Sequence, residues 1–385
     1  MKLSTCLNST SYRPQLVLGV SRLSSLEYLK FRNPDLNEDQ ILSRIKEEGQ
    51  DPQEILTEHQ EQISCEQNLA AVLKKLDISF RITKRIGDAT KCVKWADLVI
   101  PIGGDGTFLL ASKLISDNKK PVLGINPLVS DKNTYFTLPY KYTTNMESIF
   151  EKLHSGEYEL LMRSRIRTVM TGEGLYCRPF HIHEKGRTKG EKRSQSLIRS
   201  RGKKISDALQ PRRRILPWLA LNEVFIGEFL AVRPITLHLQ VEDQEGYVFR
   251  SSGICVCTGT GSRSWYRSMN VKPADTVQSI VEMATGKKLT IEETNKLLYK
   301  YRQSLLYPAE DLRMTYMIRE MYRAPRCWRN KCYPDREMCN KITVKSYGFD
   351  AGLIIDGSIS LPFNDGASAS FDIKPEYALM NIIMT

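Results

Sequence analysis

The chain has 385 residues, 41% of them apolar and 26% charged, enough to bury one large or two ordinary cores, and two domains are expected. It contains no run of about 18 apolar residues, which excludes a spanning helix and leaves a soluble or peripheral protein with no membrane partner expected. The formal net charge of +12 is concentrated between Glu184 and Arg214, where twelve Lys or Arg stand against three acids, so the rest of the chain is nearly neutral and a broad polyanion-binding face is excluded.

The first 26 residues hold Lys2, Arg13 and Arg22, are rich in Ser and Thr, and carry no acid before Glu27. That is the composition of a mitochondrial presequence, and residues 1–14 are assigned as a candidate remnant of one. Residues 15–20 (QLVLGV) read as a short buried strand. The stretch that follows has helical spacing, with Leu69, Val72, Leu73 and Leu76 on one face. Residues 78–82 and 96–102 are further strands, 108–115 a helix, and 121–125 another buried strand. Strands alternating with helices predict a doubly wound, Rossmann-like parallel sheet over residues 15–150.

From about residue 157 the texture changes to short alternating segments at 159–171, 220–225, 235–241, 247–249 and 253–257, resuming at 314–318, 341–347, 352–355 and 358–361. These predict an antiparallel, sandwich-like β domain over 151–370, followed by a C-terminal segment, 371–385. The fold class is therefore α/β plus all-β. Helical patterns at 273–284 and 291–306 mark an insertion, 273–306. The basic stretch 184–214 lacks hydrophobic periodicity and reads as a mobile loop. It holds no Phe, Trp or Tyr to stack on bases, so a specific nucleic-acid partner is not expected.

Nine cysteines without even spacing argue for a reducing compartment rather than a disulfide framework. Cys255 and Cys257 are placed on one face of a strand. Cys327, Cys332 and Cys339 lack the paired spacing that tetrahedral zinc favours.

The informative motif is Gly103-Gly104-Asp105-Gly106-Thr107, between the apolar strand ADLVIPI and the helical FLLASKLI. A strand-to-helix turn presents free backbone N–H groups and the positive end of a helix dipole, which suits a phosphate. The glycines allow close approach of backbone to ligand, and Thr107 is placed to cap the helix. An acid beside a phosphate site costs energy unless it binds metal or takes a proton, so Asp105 is the candidate catalytic residue, with Gly103, Gly104, Gly106 and Thr107 as phosphate ligands. Neither a Walker A lysine loop nor a G-x-G-x-x-G fingerprint is present.

GGDGT after a buried strand resembles the nucleotide site of a superfamily that contains NAD kinases, diacylglycerol and sphingoid-base kinases and, more distantly, phosphofructokinases. Ala220-Leu221-Asn222-Glu223-Val224 resembles the Asn-Glu motif of NAD kinases, and residues 253–265 (GICVCTGTGSRSW) resemble the glycine- and threonine-rich segment that follows it. Asp356-Gly357 and FNDGASAS at 363–370 complete the series in order. The forms LNEVFIGE, CTGTGS and FNDGAxAS look like the animal mitochondrial branch of the NAD kinase family. Three segments depart from the family pattern: Ser251-Ser252-Gly253, Arg263-Ser264-Trp265 and Gly124-Ile125-Asn126-Pro127-Leu128.

The resemblance implies a phosphotransferase that moves the γ-phosphate of ATP to the adenosine-ribose 2′-hydroxyl of NAD, with Asp105 as general base. It implies Asn222 and Glu223 as NAD ligands; Thr258, Thr260, Ser262 and Ser264 are further candidates through their hydroxyls, and Asn126, on the same sheet edge as Asp105, is read equally as an NAD ligand or a turn residue. Mg²⁺ is expected to enter with ATP and not to be held by protein alone. A homodimer and the mitochondrial matrix are the implied assembly and compartment, with the cytoplasm as the alternative compartment. Asp356-Gly357 read by itself is a two-residue hairpin turn, and Trp265 and Tyr266 are read more as packing rings than as base-stacking ones. Two rival functions remain: a lipid kinase sharing the turn, and a non-catalytic nucleotide or polyanion binder using the basic loop.

Overall fold

The computed structural model describes residues 10–84, 86–129, 134–172, 175, 180–181, 211–322 and 334–384. They form two compact units. One lies within Arg163–Tyr377; the other runs up to Met162 and takes back the chain from Ala378. The change of unit falls at 162/163, twelve residues beyond the boundary expected from texture.

The first unit is built on strands β1 (Leu16–Ser21), β2 (Ser79–Thr83), β3 (Leu98–Ile102), β4 (Pro121–Val122), β5 (Glu159–Arg163) and β19 (Leu379–Ile383), in the order β2-β1-β3-β4-β19-β5. β1 pairs parallel with β2 and β3, β3 with β4, and β4 with β19. Every residue of β3 is buried, as a sheet covered on both faces requires. The helix Pro52–Lys75 starts cleanly because Asp51 accepts from the Gln53 N–H and Pro52 occupies a position that needs no donor. It lays Cys65, Leu69 and Leu73 against Val17, Leu98 and Ile100. The last strand corrects the expected separate C-terminal segment: residues 368–373 and 379–383 are strands of two different sheets, and β19 closes the parallel sheet between β4 and β5.

The second unit holds two sheets. β6 (Ile166–Thr171), β8 (Arg213–Ile215), β10 (Ile235–Val241), β11 (Tyr247–Ser251), β15 (Lys341–Ser346) and β18 (Ser368–Ile373) are ordered β11-β10-β15-β18-β6-β8. β7 (Phe180–His181), β9 (Glu223–Glu228), β12 (Gly253–Cys257), β13 (Met314–Arg319), β14 (Arg336–Cys339), β16 (Ala351–Ile355) and β17 (Ile359–Pro362) are ordered β14-β13-β12-β9-β16-β17-β7. One core joins them, with Leu237, Leu239, Val344 and Phe371 from the first sheet and Val224, Ile226, Val256 and Leu353 from the second. The strict in-out alternation of β10 has its physical cause here, since one face meets the opposite sheet and the other does not.

Three expectations are corrected. The run 159–171 is not one strand: it breaks at Ser164 and Arg165, both fully buried, and its halves join different sheets. The basic loop ends earlier than 214, because Arg213–Ile215 pairs with β6; residues 184–210 lie outside the described residues. The strand expected from 220 begins at Glu223, for a reason given below. The expected insertion contains helices Ala274–Thr285 and Ile291–Ser304, the second opened by a reciprocal capping box between Thr290 and Glu293. Among the described residues no helix is long and apolar enough to cross a membrane.

Candidate active site

In the parallel unit, β3 delivers the chain to Gly103 and the helix Asp105–Ser112 leaves from Gly104. Gly103 donates its N–H to the Ile125 carbonyl at 2.9 Å, so the turn lies beside the end of the adjoining strand, the edge where doubly wound sheets bind ligands. Gly103 has φ +154°, and a Cβ there would stand 2.4 Å from Thr107 Oγ1. No larger residue fits. Thr107 is not the cap expected from sequence: Gly104 is the N-cap, without a side-chain hydrogen bond, and the Thr107 hydroxyl leans back over Gly103. The Thr107 N–H bonds back to the Gly104 carbonyl at 3.0 Å, so what the turn offers an anion is a close-lying glycine backbone and the positive end of the helix dipole.

The Asp105 carboxylate is held from outside its own turn. Oδ1 accepts from the N–H groups of Tyr135 and Phe136 at 2.9 and 3.1 Å, and the Phe136 ring stacks on Phe108 at 4.8 Å. The segment 135–136 therefore orients the acid. Asn126 is buried; its side-chain oxygen accepts from the Leu128 N–H at 3.1 Å and its carbonyl from the Thr143 hydroxyl at 2.8 Å, so it shapes the turn after β4.

In the β unit, Asn222, Glu223, Thr258, Thr260 and Ser262 are all buried and come together at the ends of β9 and β12, and Ser264 follows as the N-cap of the short helix Trp265–Met269. Thr258 Oγ1 donates to the Leu221 carbonyl at 2.6 Å and accepts from the Gly261 N–H at 3.0 Å. Ser262 Oγ donates to the Gly259 carbonyl at 2.6 Å. These two hydroxyl protons are used within the loop. Gly261 packs against Asn222 so closely that a Cβ would lie 2.2 Å from its carbonyl oxygen. By contrast, Asn222 Oδ1 and Thr260 Oγ1 are buried with no hydrogen-bond partner among the described residues.

Asp356 ties this cluster down. It lies in the turn between β16 and β17, with φ +42°, and three residues separate the strands where two were expected. Its carboxylate accepts from the N–H groups of Leu221, Asn222 and Glu223 at 3.0, 2.8 and 3.1 Å. That is why β9 starts late: the amides just before it are bonded to a side chain. The sequence marks Asp356-Gly357 as part of the motif series and as a hairpin turn, but nothing local shows which distant amides its carboxylate meets. Trp265 packs on Phe225 at 4.8 Å and Tyr266 is buried, as packing rings.

Cys255 and Cys257 share a buried cluster with Tyr266 and Leu305. Burial pushes the thiols of Cys65, Cys257 and Cys339 up to about 12 and that of Cys255 well above the ordinary range. Since the thiolate is the nucleophile, iodoacetamide at about pH 8 is expected to label half-buried Cys92 well before these four, read by peptide mass spectrometry. Labelling of Cys257 as fast as Cys92 would contradict the packing. Cys327 and Cys332, like His183, lie outside the described residues.

A family model described as the ATP-NAD kinase N-terminal domain matches residues 44–158. The chain is 32% identical over 382 residues to "NAD kinase 2, mitochondrial" of Rattus norvegicus, spanning 97% of this chain and 88% of that protein. The Homo sapiens protein of the same name is 31% identical, with 97% and 85% covered. The chain belongs to the NAD kinase family. Its relatives place it in the mitochondrial branch and in the mitochondrion. The fold agrees: an NAD kinase from Archaeoglobus fulgidus in complex with ATP superposes with TM-score 0.50 at 14% identity, covering 96% of this chain and 93% of that one. Yeast NADH kinase complexed with NADH superposes with TM-score 0.52 at 13% identity, covering 97% and 84%.

Proposed function

We propose that this NAD kinase family member transfers the γ-phosphate of ATP to the adenosine-ribose 2′-hydroxyl of NAD, giving NADP. The observation that carries the reading is the pair of buried, unpartnered oxygens, Asn222 Oδ1 and Thr260 Oγ1, in the segment that resembles the family's NAD motif. A buried polar atom left unpaired costs about 1–3 kcal/mol, a cost that a ligand rich in hydroxyl and amide groups removes. Glu223, buried beside them, is proposed as a second acceptor for ribose hydroxyls. Thr258 and Ser262, whose protons are donated internally, are proposed to shape the loop around NAD and to offer lone pairs only. Asn126 and Ser264 complete the proposed set of NAD ligands.

The phosphate side falls to the turn Gly103 to Thr107, with its uncapped helix start. Phosphoryl transfer asks chiefly for positioning and charge neutralisation. Asp105, aimed by two backbone amides, is proposed to take the proton of the attacking hydroxyl. Mg²⁺, bound through phosphate oxygens and water as a hard cation prefers, would supply neutralisation of the triphosphate. A homodimer is part of the proposal, on the family resemblance, and sedimentation of the purified chain reads it.

Incubation with ATP and either NAD, diacylglycerol or a sphingoid base is the deciding test. NADP is expected, with loss of activity in EDTA and recovery with Mg²⁺. Phosphate appearing on lipid alone would replace this reading with that of a lipid kinase.

A further inference from the structure

The turn that approaches the phosphates carries an acid and no base: GGDGT is followed by FLLAS, without Lys or Arg. A triphosphate brought beside Asp105, even with Mg²⁺ offsetting part of its charge, gains from a cation supplied by another part of the chain. Arg22 is placed to be that cation. It follows the last residue of β1, and its backbone N–H donates to the Ile102 carbonyl at 3.3 Å, which sets it beside the end of β3. Its side chain passes over the glycine turn, since a Cβ at Gly103 would meet Arg22 Cδ at 3.3 Å.

The guanidinium is pinned along one edge. Nε donates to Gln62 Oε1 at 3.0 Å, and Nη2 pairs with Glu58. Gln62 is itself fully buried and donates to Ser21 Oγ at 2.8 Å and to the Ile102 carbonyl at 3.3 Å, so the support is tied to the ends of both strands. Nη1 has no partner among the described residues, and the side chain is 31% exposed. A planar fork held at one edge and open at the other offers donors with little ordering left to do, which a lysine, with a single rotating ammonium, does not match. Glu58 offsets part of the positive charge, yet it is also what fixes the fork's plane.

We propose that Arg22 is a phosphate-binding residue of this enzyme, donating from Nη1 to a non-bridging oxygen of the ATP triphosphate, with Glu58 and Gln62 as its positioning residues. The proposal rests on the ATP reading of the turn. Its test compares the full chain with Arg22→Ala, Arg22→Lys and Glu58→Gln, measuring affinity for ATP, AMP and NAD by calorimetry and the KM for ATP and NAD in turnover.

Arg22→Ala is expected to weaken ATP binding roughly ten- to hundredfold, the size of one lost charge-assisted hydrogen bond, while AMP and NAD affinities stay within about twofold. Arg22→Lys should recover part of the loss, and Glu58→Gln should raise the KM for ATP and not that for NAD. ATP affinity equal to wild type in Arg22→Ala overturns the proposal. So does a parallel loss of ATP, AMP and NAD binding, which would mark a structural role. Should the alanine variant fail to fold, the lysine and Glu58→Gln variants decide by the same ATP-to-NAD split. Failure of the wild-type chain itself to form NADP would count against the kinase reading; an unaltered ATP affinity counts against Arg22 alone.

Discussion

Asp105→Asn is expected to lower the rate of NADP formation by about 10²–10⁴, the usual contribution of a positioned general base. NAD affinity and melting temperature should stay close to wild type. The expectation of intact structure follows from the geometry: asparagine keeps an oxygen at the position that accepts from Tyr135 and Phe136, so the segment that aims the side chain keeps its anchor. What is lost is the negative charge, with it the ability to take a proton, and the weaker acceptance by Oδ2 from the Tyr135 N–H at 3.2 Å. Asp105→Ala, which removes the acceptor as well, should cost stability in addition to rate. Turnover near wild type in the asparagine variant would remove Asp105 from the role of base and leave it as a brace for residues 135–136.

The second large effect is on stability. Asp356→Ala leaves three buried backbone N–H groups, those of Leu221, Asn222 and Glu223, without their acceptor. At about 1–3 kcal/mol for each unsatisfied donor, partly relieved by water, a loss of about 3–5 kcal/mol is expected in urea unfolding. Asp356→Asn retains one oxygen but turns an N–H₂ group toward one of the amides, so it should fall between alanine and wild type. Because the same three amides belong to the segment that carries Asn222 and Glu223, NAD affinity should fall in both variants even where the protein stays folded. A change below about 0.5 kcal/mol, typical of an exposed surface position, would show that the carboxylate is dispensable.

The legible parts of the sequence were those whose signal is local. The 235–241 and 253–257 strands carry their apolar pattern within a few residues, and the structure has the same bounds. The turn 103–107 was legible because glycine, acid and flanking apolar runs are contiguous. The phosphate cation proposed here was not legible: Arg22 counted among the charges of a basic leader, and only the pairing of β1 with β3 sets it beside Gly103, 81 positions further on. The amides of Tyr135 and Phe136 gave no signal either, since a backbone N–H has no residue type.

What the sequence by itself determined is the class of elements, the place of the glycine turn and, through motif resemblance, the family. Hydrophobic period and turn chemistry are short-range properties, encoded in the residues that display them. Tertiary structure alone decided that 159–171 divides between two sheets, that the last strand returns to the parallel sheet, and that Asp356 reaches amides 135 positions away. Those outcomes depend on which segments pair after long loops close, and that choice is made by the burial of the whole core rather than by any residue's neighbours in the chain.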